Sequence, residues 1–197
     1  MSLHARDLDC ATLSRPWALE LVPSKEVHRI LRPVIEAALV PAGFARTDTT
    51  PPGEFPRPKG WWLKVADNRF AVVWLQLNQK TGFSREWGGI FTLNFELSSR
   101  PIAVDDMLLH QRWWKLLDQS DQKQARQIER RVLVALPEPP SPRPLLQKQL
   151  TTGHFPWEDI WARYATVQDV HTWANFLKET LPSTASRFLT KARAKAR

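Results

Sequence analysis

The sequence predicts an α+β fold, in which an antiparallel β-meander of three to five strands packs against several α-helices. Two patterns predict it: apolar and polar residues alternate in three stretches between residues 60 and 97, and helical periodicity occurs on both sides of them. The length of 197 residues is also enough for one sizeable core. We therefore expect an N-terminal arm at 1–22, a single domain at 23–186 and a basic C-terminal tail at 187–197.

The meander is predicted from period-two patterning, because successive side chains of a strand point to opposite faces. In the run from Phe70 to Asn78, one face carries Ala71, Val73, Leu75 and Leu77. In the run that starts at Ile90, one face carries Phe91, Leu93, Phe95 and Leu97. We expect these two apolar faces to pair on the core side of the sheet. A shorter first strand at 61–66 is predicted before them, and a turn at Asp67-Asn68 joins it to the strand that begins at Phe70.

Three helices are predicted from apolar stripes at helical spacing. They cover residues 25–39, 121–136 and 167–180. Their predicted N-terminal caps are Ser24, Ser120 and a capping box formed by Thr166 and Asp169. Pro33 should kink the first helix, because proline has no amide hydrogen.

Weaker patterns predict three further elements and a linker. We expect a helix at 107–117, with one of its two adjacent tryptophans exposed, a strand at 159–164 and a last basic helix from Pro182. Residues 137–144 contain five prolines. This segment is typical of a stiff spacer, and the alternative is a polyproline ligand for an aromatic groove.

Cysteine content and hydropathy bear on the compartment. Cys10 is the single cysteine, so no internal disulfide can form and a reducing compartment is expected. The first ten residues lack an apolar signal core, and no run approaches the roughly 18 apolar residues of a membrane helix. We expect a cytoplasmic protein without a membrane partner.

The net charge of +8 raises the question of nucleic-acid binding. The basic residues of the predicted tail carry five of the positive charges; they are Arg187, Lys191, Arg193, Lys195 and Arg197. Such a tail can hold polyanions, but it is more often a solvated helix end. Nucleic-acid association through these residues is therefore a second alternative function.

Motifs that would indicate a reaction are missing from the sequence. The five histidines are not spaced as paired metal ligands, and neither a nucleophile elbow nor a phosphate-binding loop occurs. Adjacent acids such as Asp105-Asp106 are most often helix starts or solvated turns. We expect no metal, no cofactor and no catalytic residues, and thus a protein that is not an enzyme.

The segment from Gln79 to Gly89 is long for a hairpin connection. Phe83, Arg85 and Trp87 within it are of the residue types that dominate protein–protein hot spots. These three residues are the candidate protein-binding site. In the alternative interpretation, Phe83 and Trp87 fold back to cap the core.

The second face of the predicted sheet is a candidate floor for a ligand pocket. It combines a large aromatic residue with amides and a carboxylate: Trp74, Gln76, Asn78, Asn94 and Glu96. Thr92 lies on the same face. Whether the two strands bring these residues together depends on register, and the alternative is that the amides simply face solvent.

Four stretches of the chain form a further pattern: Leu31-Arg32-Pro33 through Gly43-Phe44, Trp61 to Leu63, Leu75 to Lys80 and Phe91 to Phe95. This pattern resembles that of the bacterial family called domain of unknown function 4304. The resemblance covers roughly residues 25 to 180 and implies an α+β fold, but no activity, since the family has none settled. Glu96 stands where the family usually has a small residue, so no site residue is transferred.

Three functions from different classes remain open. The leading hypothesis is a non-enzymatic protein-binding module, for example an immunity or antitoxin-like protein that neutralises a protein partner through Phe83, Arg85 and Trp87. The first alternative is a small-molecule-binding protein or cryptic enzyme that uses the polar sheet face. The second is nucleic-acid association through the basic C-terminal residues.

Overall fold

The computed structural model describes residues 21–47, 60–78, 88–99, 107–136 and 161–196. An antiparallel sheet of six strands and three α-helices lie within them, which confirms the predicted α+β fold. The helices are α1 (Ser24–Leu39), α2 (Gln119–Ala135) and α3 (Val167–Ala196). The strands are β1 (Ala45–Thr47), β2 (Gly60–Ala66), β3 (Arg69–Asn78), β4 (Gly89–Ser98), β5 (Met107–Arg112) and β6 (Ala162–Tyr164).

The sheet is organised around β4, which pairs with three strands. The strand order is β1-β2-β3-β4-β5, and β6 also pairs with β4. β5 pairs with residues 94–98 of β4, whereas β6 pairs with residues 89–91. Two strands from distant parts of the chain therefore lie end to end along one edge of β4.

The predicted pairing of the two apolar faces of the meander is confirmed. Its apolar faces meet in the pairs Ala71–Leu97, Val73–Phe95, Leu75–Leu93 and Leu77–Phe91. In the turn before β3, Asn68 adopts a φ of 52°, a left-handed conformation that asparagine tolerates better than most residues. The four apolar side chains of β4 are completely buried.

Helix α3 contacts β2 and β3, and α1 packs on α3. The buried side chains of both helices join the apolar sheet face in one hydrophobic cluster. Its aromatic part is a set of edge-to-face ring pairs, in which Trp173 contacts Phe91, Trp113 and Phe176 at centroid distances of 6.3, 6.0 and 5.9 Å. The aromatic part of the core thus lies on one side of the sheet.

Two of the predicted helix caps are wrong by one or two residues. Pro23, not Ser24, occupies the N-cap position of α1. Asp118, not Ser120, caps α2, and its carboxylate accepts a hydrogen bond of 2.9 Å from the Asp121 amide. This bond is the main reason why the pKa of Asp118 lies below its ordinary value. A carboxylate cap also suits the positive end of the helix dipole.

The capping box before α3 is confirmed. Thr166 Oγ1 accepts a hydrogen bond of 3.2 Å from the Asp169 amide, and Asp169 Oδ2 accepts one of 2.8 Å from the Thr166 amide. Two amides at the start of α3 are therefore satisfied by side chains, as this sequence pattern predicts.

The predicted helix at 107–117 is wrong. Residues 107–112 form β5, and a short 3-10 helix follows at Trp113–Leu116. Both tryptophans are buried, with 1% exposure for Trp113 and 5% for Trp114. The free edge of β4 offers hydrogen bonds to an added strand, and this tertiary pairing outweighs the weak local preference for helix. The three-residue strand β1 was not predicted at all.

The predicted helix break at Pro182 is also wrong, since α3 runs through this residue to Ala196. A proline inside a helix costs about 3 kcal/mol, but both halves of α3 bury side chains in the core, including Leu181, Ala185 and Phe188. Arg187, Lys191, Arg193 and Lys195 therefore belong to the last turns of a packed helix. Ala192 within this stretch is completely buried.

Gly88 precedes β4 in a conformation that few other residues adopt. Its φ is +80°, and an added Cβ would lie 2.4 Å from the Tyr164 backbone oxygen. Gly43 also has a positive φ, +92°, but its Cβ would meet Leu63 Cδ1 only at 3.4 Å. We expect Gly88→Ala to lower the free energy of unfolding by about 1–2 kcal/mol more than Gly43→Ala, because only the first adds a backbone clash. Urea denaturation measures both, and equal losses would contradict the tight β4–β6 contact.

Candidate functional site

Strand β4 buries polar side chains on the face that points away from the core. The relative exposures are 0% for Thr92, 1% for Asn94, 3% for Glu96 and 0% for Ser98. The opposite face of the same strand is wholly aromatic or aliphatic. Burying polar groups is unfavourable unless they form hydrogen bonds. Four buried polar side chains on one face of the central strand are therefore unusual.

Asn94 is the centre of a hydrogen-bond network that crosses three strands. Its Nδ2 donates to Gln76 Oε1 of β3 at 3.1 Å. Its Oδ1 lies 3.1 Å from His110 Nε2 of β5. Because a carbonyl oxygen can only accept, His110 Nε2 donates in this arrangement. One buried amide thus sets the orientation of two side chains that flank it.

Glu96 and Trp74 form the neighbouring interaction. Trp74 Nε1 donates a hydrogen bond of 2.9 Å to Glu96 Oε1. Trp74 lies directly opposite Asn94 in the register, so this bond runs diagonally across the β3–β4 pair. The indole ring is half-buried, and the bond fixes it beside Gln76.

The rim of this face can be reached from solvent. Gln76, Asn78 and Trp74 are half-buried, and His110 is exposed. Gln76 uses its Oε1 toward Asn94, which leaves the Nε2 donor. His110 uses Nε2, so the Nδ1 of a neutral ring is an acceptor. The rim therefore presents a donor and an acceptor held by the same buried amide.

Thr92 differs from its neighbours in the row. It is completely buried, and its Oγ1 has no hydrogen-bond partner among the residues that the structure describes. It lies opposite Gln76 in the register. An unsatisfied buried hydroxyl costs stability, so Thr92 is a position where folding alone would favour valine.

The same face contains two arginines, Arg112 opposite Asn94 and Arg163 opposite Ile90, contributed by β5 and β6. The Arg112 guanidinium lies over the Trp161 ring, 4.7 Å from its centroid. Arg163 Nε lies 3.9 Å from Glu129 Oε1 of α2, and both side chains are buried. Burial raises the pKa of Glu129 to about 7, although Arg163 and then Arg126 act in the opposite direction. Burial likewise lowers the pKa of Arg163, so both charged forms are unfavourable here.

Comparison with known proteins identifies no relative. No family model, no curated protein and no solved structure matches the chain. The resemblance to the domain of unknown function 4304 thus stays a prediction. In the described part of the chain, no helix has the length and apolar character needed to cross a bilayer, and no group of three or more metal-ligating side chains occurs.

The structure brings together the residues predicted for the polar face: Trp74, Gln76, Asn78, Asn94 and Glu96 lie on one side of β3 and β4. Sequence reasoning missed His110 and Arg112, since it placed both on a helix. His110 and Arg112 alternate with Leu109 and Gln111, and this period of two weakly indicates a strand.

The other predicted sites lie partly or wholly outside the residues that the structure describes. Phe83, Arg85 and Trp87, the proline-rich segment at 137–144 and Arg197 lie outside the described residues. Arg187 is half-buried and structural, since it donates 2.9 Å hydrogen bonds to the Leu116 carbonyl and to Asp118. Lys191, Arg193 and Lys195 are exposed on α3.

Proposed function

We propose that the protein binds a small polar ligand on the second face of its sheet, at Gln76, His110 and Trp74. The single observation that carries the proposal is Asn94, a buried amide that hydrogen-bonds both Gln76 and His110. Sites that bind polar ligands need side chains held in place before the ligand arrives. A buried residue that orients two accessible ones meets this need.

The geometry also describes the ligand. Gln76 Nε2 requires an acceptor, and His110 Nδ1 requires a donor. A primary amide or the edge of a nucleobase offers both within one planar group, and such a group can lie on the neighbouring Trp74 ring. The proposal is for binding rather than catalysis, and the single cysteine supports a cytoplasmic setting.

The test compares two substitutions in the same buried row. Binding is first screened by thermal shift with primary amides, amino acids and nucleosides, and is then measured by isothermal titration calorimetry. Asn94→Leu should reduce the affinity of a compound found in this way by about tenfold or more, since 1.4 kcal/mol corresponds to a factor of ten. It should cost less than about 1 kcal/mol of stability, because the groups it releases on Gln76 and His110 can be hydrated.

Thr92→Val is the matched control. It removes a polar atom from the row without touching Gln76 or His110, so affinity should stay within about twofold while the free energy of unfolding rises by about 1 kcal/mol. Thr184→Val is the stability control, because Thr184 Oγ1 donates to the Thr180 carbonyl at 2.8 Å and its loss should destabilise. Compounds that bind Asn94→Leu as well as the natural protein, or a panel without any binder, would refute the proposal.

Protein binding through Phe83, Arg85 and Trp87 and nucleic-acid association through the basic end of α3 stay predictions. The first concerns residues outside the described part of the chain. The second is weakened by the structural use of Arg187.

A further inference from the structure

The outward face of α2 carries several cations, and neither of the two acids of this helix lies on that face. Lys123, Gln127, Arg130 and Val134 lie on one line along the helix, since their spacing of four, three and four residues follows the helical repeat. Arg126 and Arg131 flank this line. The two acids of the helix lie elsewhere: Asp121 is in the first turn, and Glu129 is buried on the opposite side.

Three of the four cations of this face have no side-chain partner inside the described part of the protein. Lys123, Arg130 and Arg131 form no ion pair or hydrogen bond there. Arg126 lies over the Trp114 ring, 5.3 Å from its centroid, and its charge also acts on the buried Glu129 carboxyl, so it is partly used within the protein. The stripe therefore presents positive charge that no internal contact explains.

A groove accompanies this charge. It has a volume of about 620 Å³ and is lined by Gln127, Arg130, Arg131, Val134 and Ala135. Val134 is 69% exposed, which makes it the most exposed large hydrophobic residue of the described chain. An exposed apolar side chain beside two arginines is a mixed environment. It fits a partner that brings both a carboxylate and an aliphatic side chain.

We propose that the α2 groove binds an acidic segment of a partner protein, with an aliphatic side chain of that segment seated on Val134 and its carboxylates on Arg130 and Arg131. Arginine pairs with carboxylates through two parallel hydrogen bonds, which gives such a contact direction as well as attraction. The exposed Val134 side chain favours this occupant over nucleic acid, whose backbone offers phosphates but no aliphatic side chain. This surface is separate from the polar sheet face, so the proposal does not depend on the proposed ligand.

The test uses fluorescein-labelled peptides of about five residues or more, since an extended chain advances about 3.3 Å per residue and the stripe is about 16 Å long. One peptide alternates glutamate with leucine, a second replaces leucine with serine, and a third replaces glutamate with glutamine. A single-stranded oligonucleotide of similar length is the competing probe. Binding to the full chain is followed by fluorescence anisotropy.

The proposal expects saturable binding of the glutamate–leucine peptide and weaker binding of the other two. The double variant Arg130→Glu/Arg131→Glu should lower this affinity by about tenfold or more, and Val134→Ser by about threefold. The matched control reverses two exposed charges on other helices, Lys25→Glu/Lys178→Glu, and should change it less than about twofold. Circular dichroism of each variant checks that it is folded.

Three outcomes would overturn the proposal. The first is the absence of saturable binding by the glutamate–leucine peptide. The second is an equal loss in both charge-reversal variants, which would indicate attraction by net charge alone. The third is tighter binding of the oligonucleotide, unchanged by Val134→Ser, which would assign the surface to nucleic acid.

Discussion

Replacing Trp173 with alanine is expected to lower the free energy of unfolding by about 4 kcal/mol or more, the upper part of the range for large aromatic residues in cores. Trp173 is completely buried and contacts three aromatic rings edge to face. Its Nε1 also donates a hydrogen bond of 2.6 Å to the carbonyl of Arg163, the middle residue of β6. The substitution thus removes core volume and an anchor of β6 together.

Urea denaturation followed by circular dichroism measures this loss. Trp62→Ala is the matched control, since Trp62 is half-buried on the other sheet face and makes one edge contact, with Phe70 at 5.8 Å. We expect it to cost about 1–2 kcal/mol, in proportion to the smaller area that it buries. If the two variants lost similar stability, the aromatic cluster would not be the centre of the core.

Glu129→Gln is expected to stabilise the protein above neutral pH by about 3 kcal/mol, at 1.36 kcal/mol for each unit of pKa difference. The Glu129 carboxyl is buried, its Oε2 has no hydrogen-bond partner among the described residues, and its Oε1 lies 3.9 Å from Arg163 Nε. This distance is too long for a strong charge-assisted hydrogen bond. The attraction therefore does not offset the cost of burying the charge, and glutamine keeps the shape without that cost.

The Glu129 carboxyl also makes the free energy of unfolding depend on pH, in a direction that follows from its pKa. The pKa of Glu129 rises from an ordinary value of 4.5 to about 7 in the folded protein. The folded state thus binds the proton more tightly than the unfolded state. Its contribution to stability is fully present below pH 4.5 and is lost as the pH rises through about 7.

Denaturation at a series of pH values tests this expectation. The difference between the natural protein and Glu129→Gln should grow between pH 4.5 and 7 and then become constant. Glu179→Gln, which changes an exposed carboxylate, is the control and should follow the natural protein. A Glu129→Gln variant that is less stable at high pH would show instead that the ion pair with Arg163 is a net stabiliser.

The parts of the fold that could be predicted are those where one residue pattern has one physical solution. The apolar faces of β3 and β4 could be predicted to pair because a slip of one residue would expose every core side chain. Strand β5 could not, because Leu108 and Leu109 are adjacent and fit either periodicity. Its conformation is decided by the free edge of β4, which is a tertiary property. Pro182 misled the prediction for a similar reason, since core burial on both sides holds α3 together.

The candidate site was predictable in part. Trp74, Gln76, Asn94 and Glu96 follow from the faces of two strands that were predicted correctly, whereas His110 required the missing strand. Glu129 was also missed, although its spacing of four residues from Ala125 and from Leu133 places it on the buried stripe of α2. A carboxylate at such a position is a signal that sequence analysis can use.

The position of α3 in the chain has a consequence during synthesis. The apolar face formed by Phe91, Leu93 and Phe95 is complete once β5 has been made, but α3 covers it only when the chain has been extended to Ala192. These roughly eighty further residues take on the order of 4–16 s at ordinary rates of translation. During that interval the nascent sheet exposes aromatic residues on one face and the unpaired end of β4 on its edge. A chaperone that binds extended apolar segments would therefore meet this protein on the ribosome before its own last helix does.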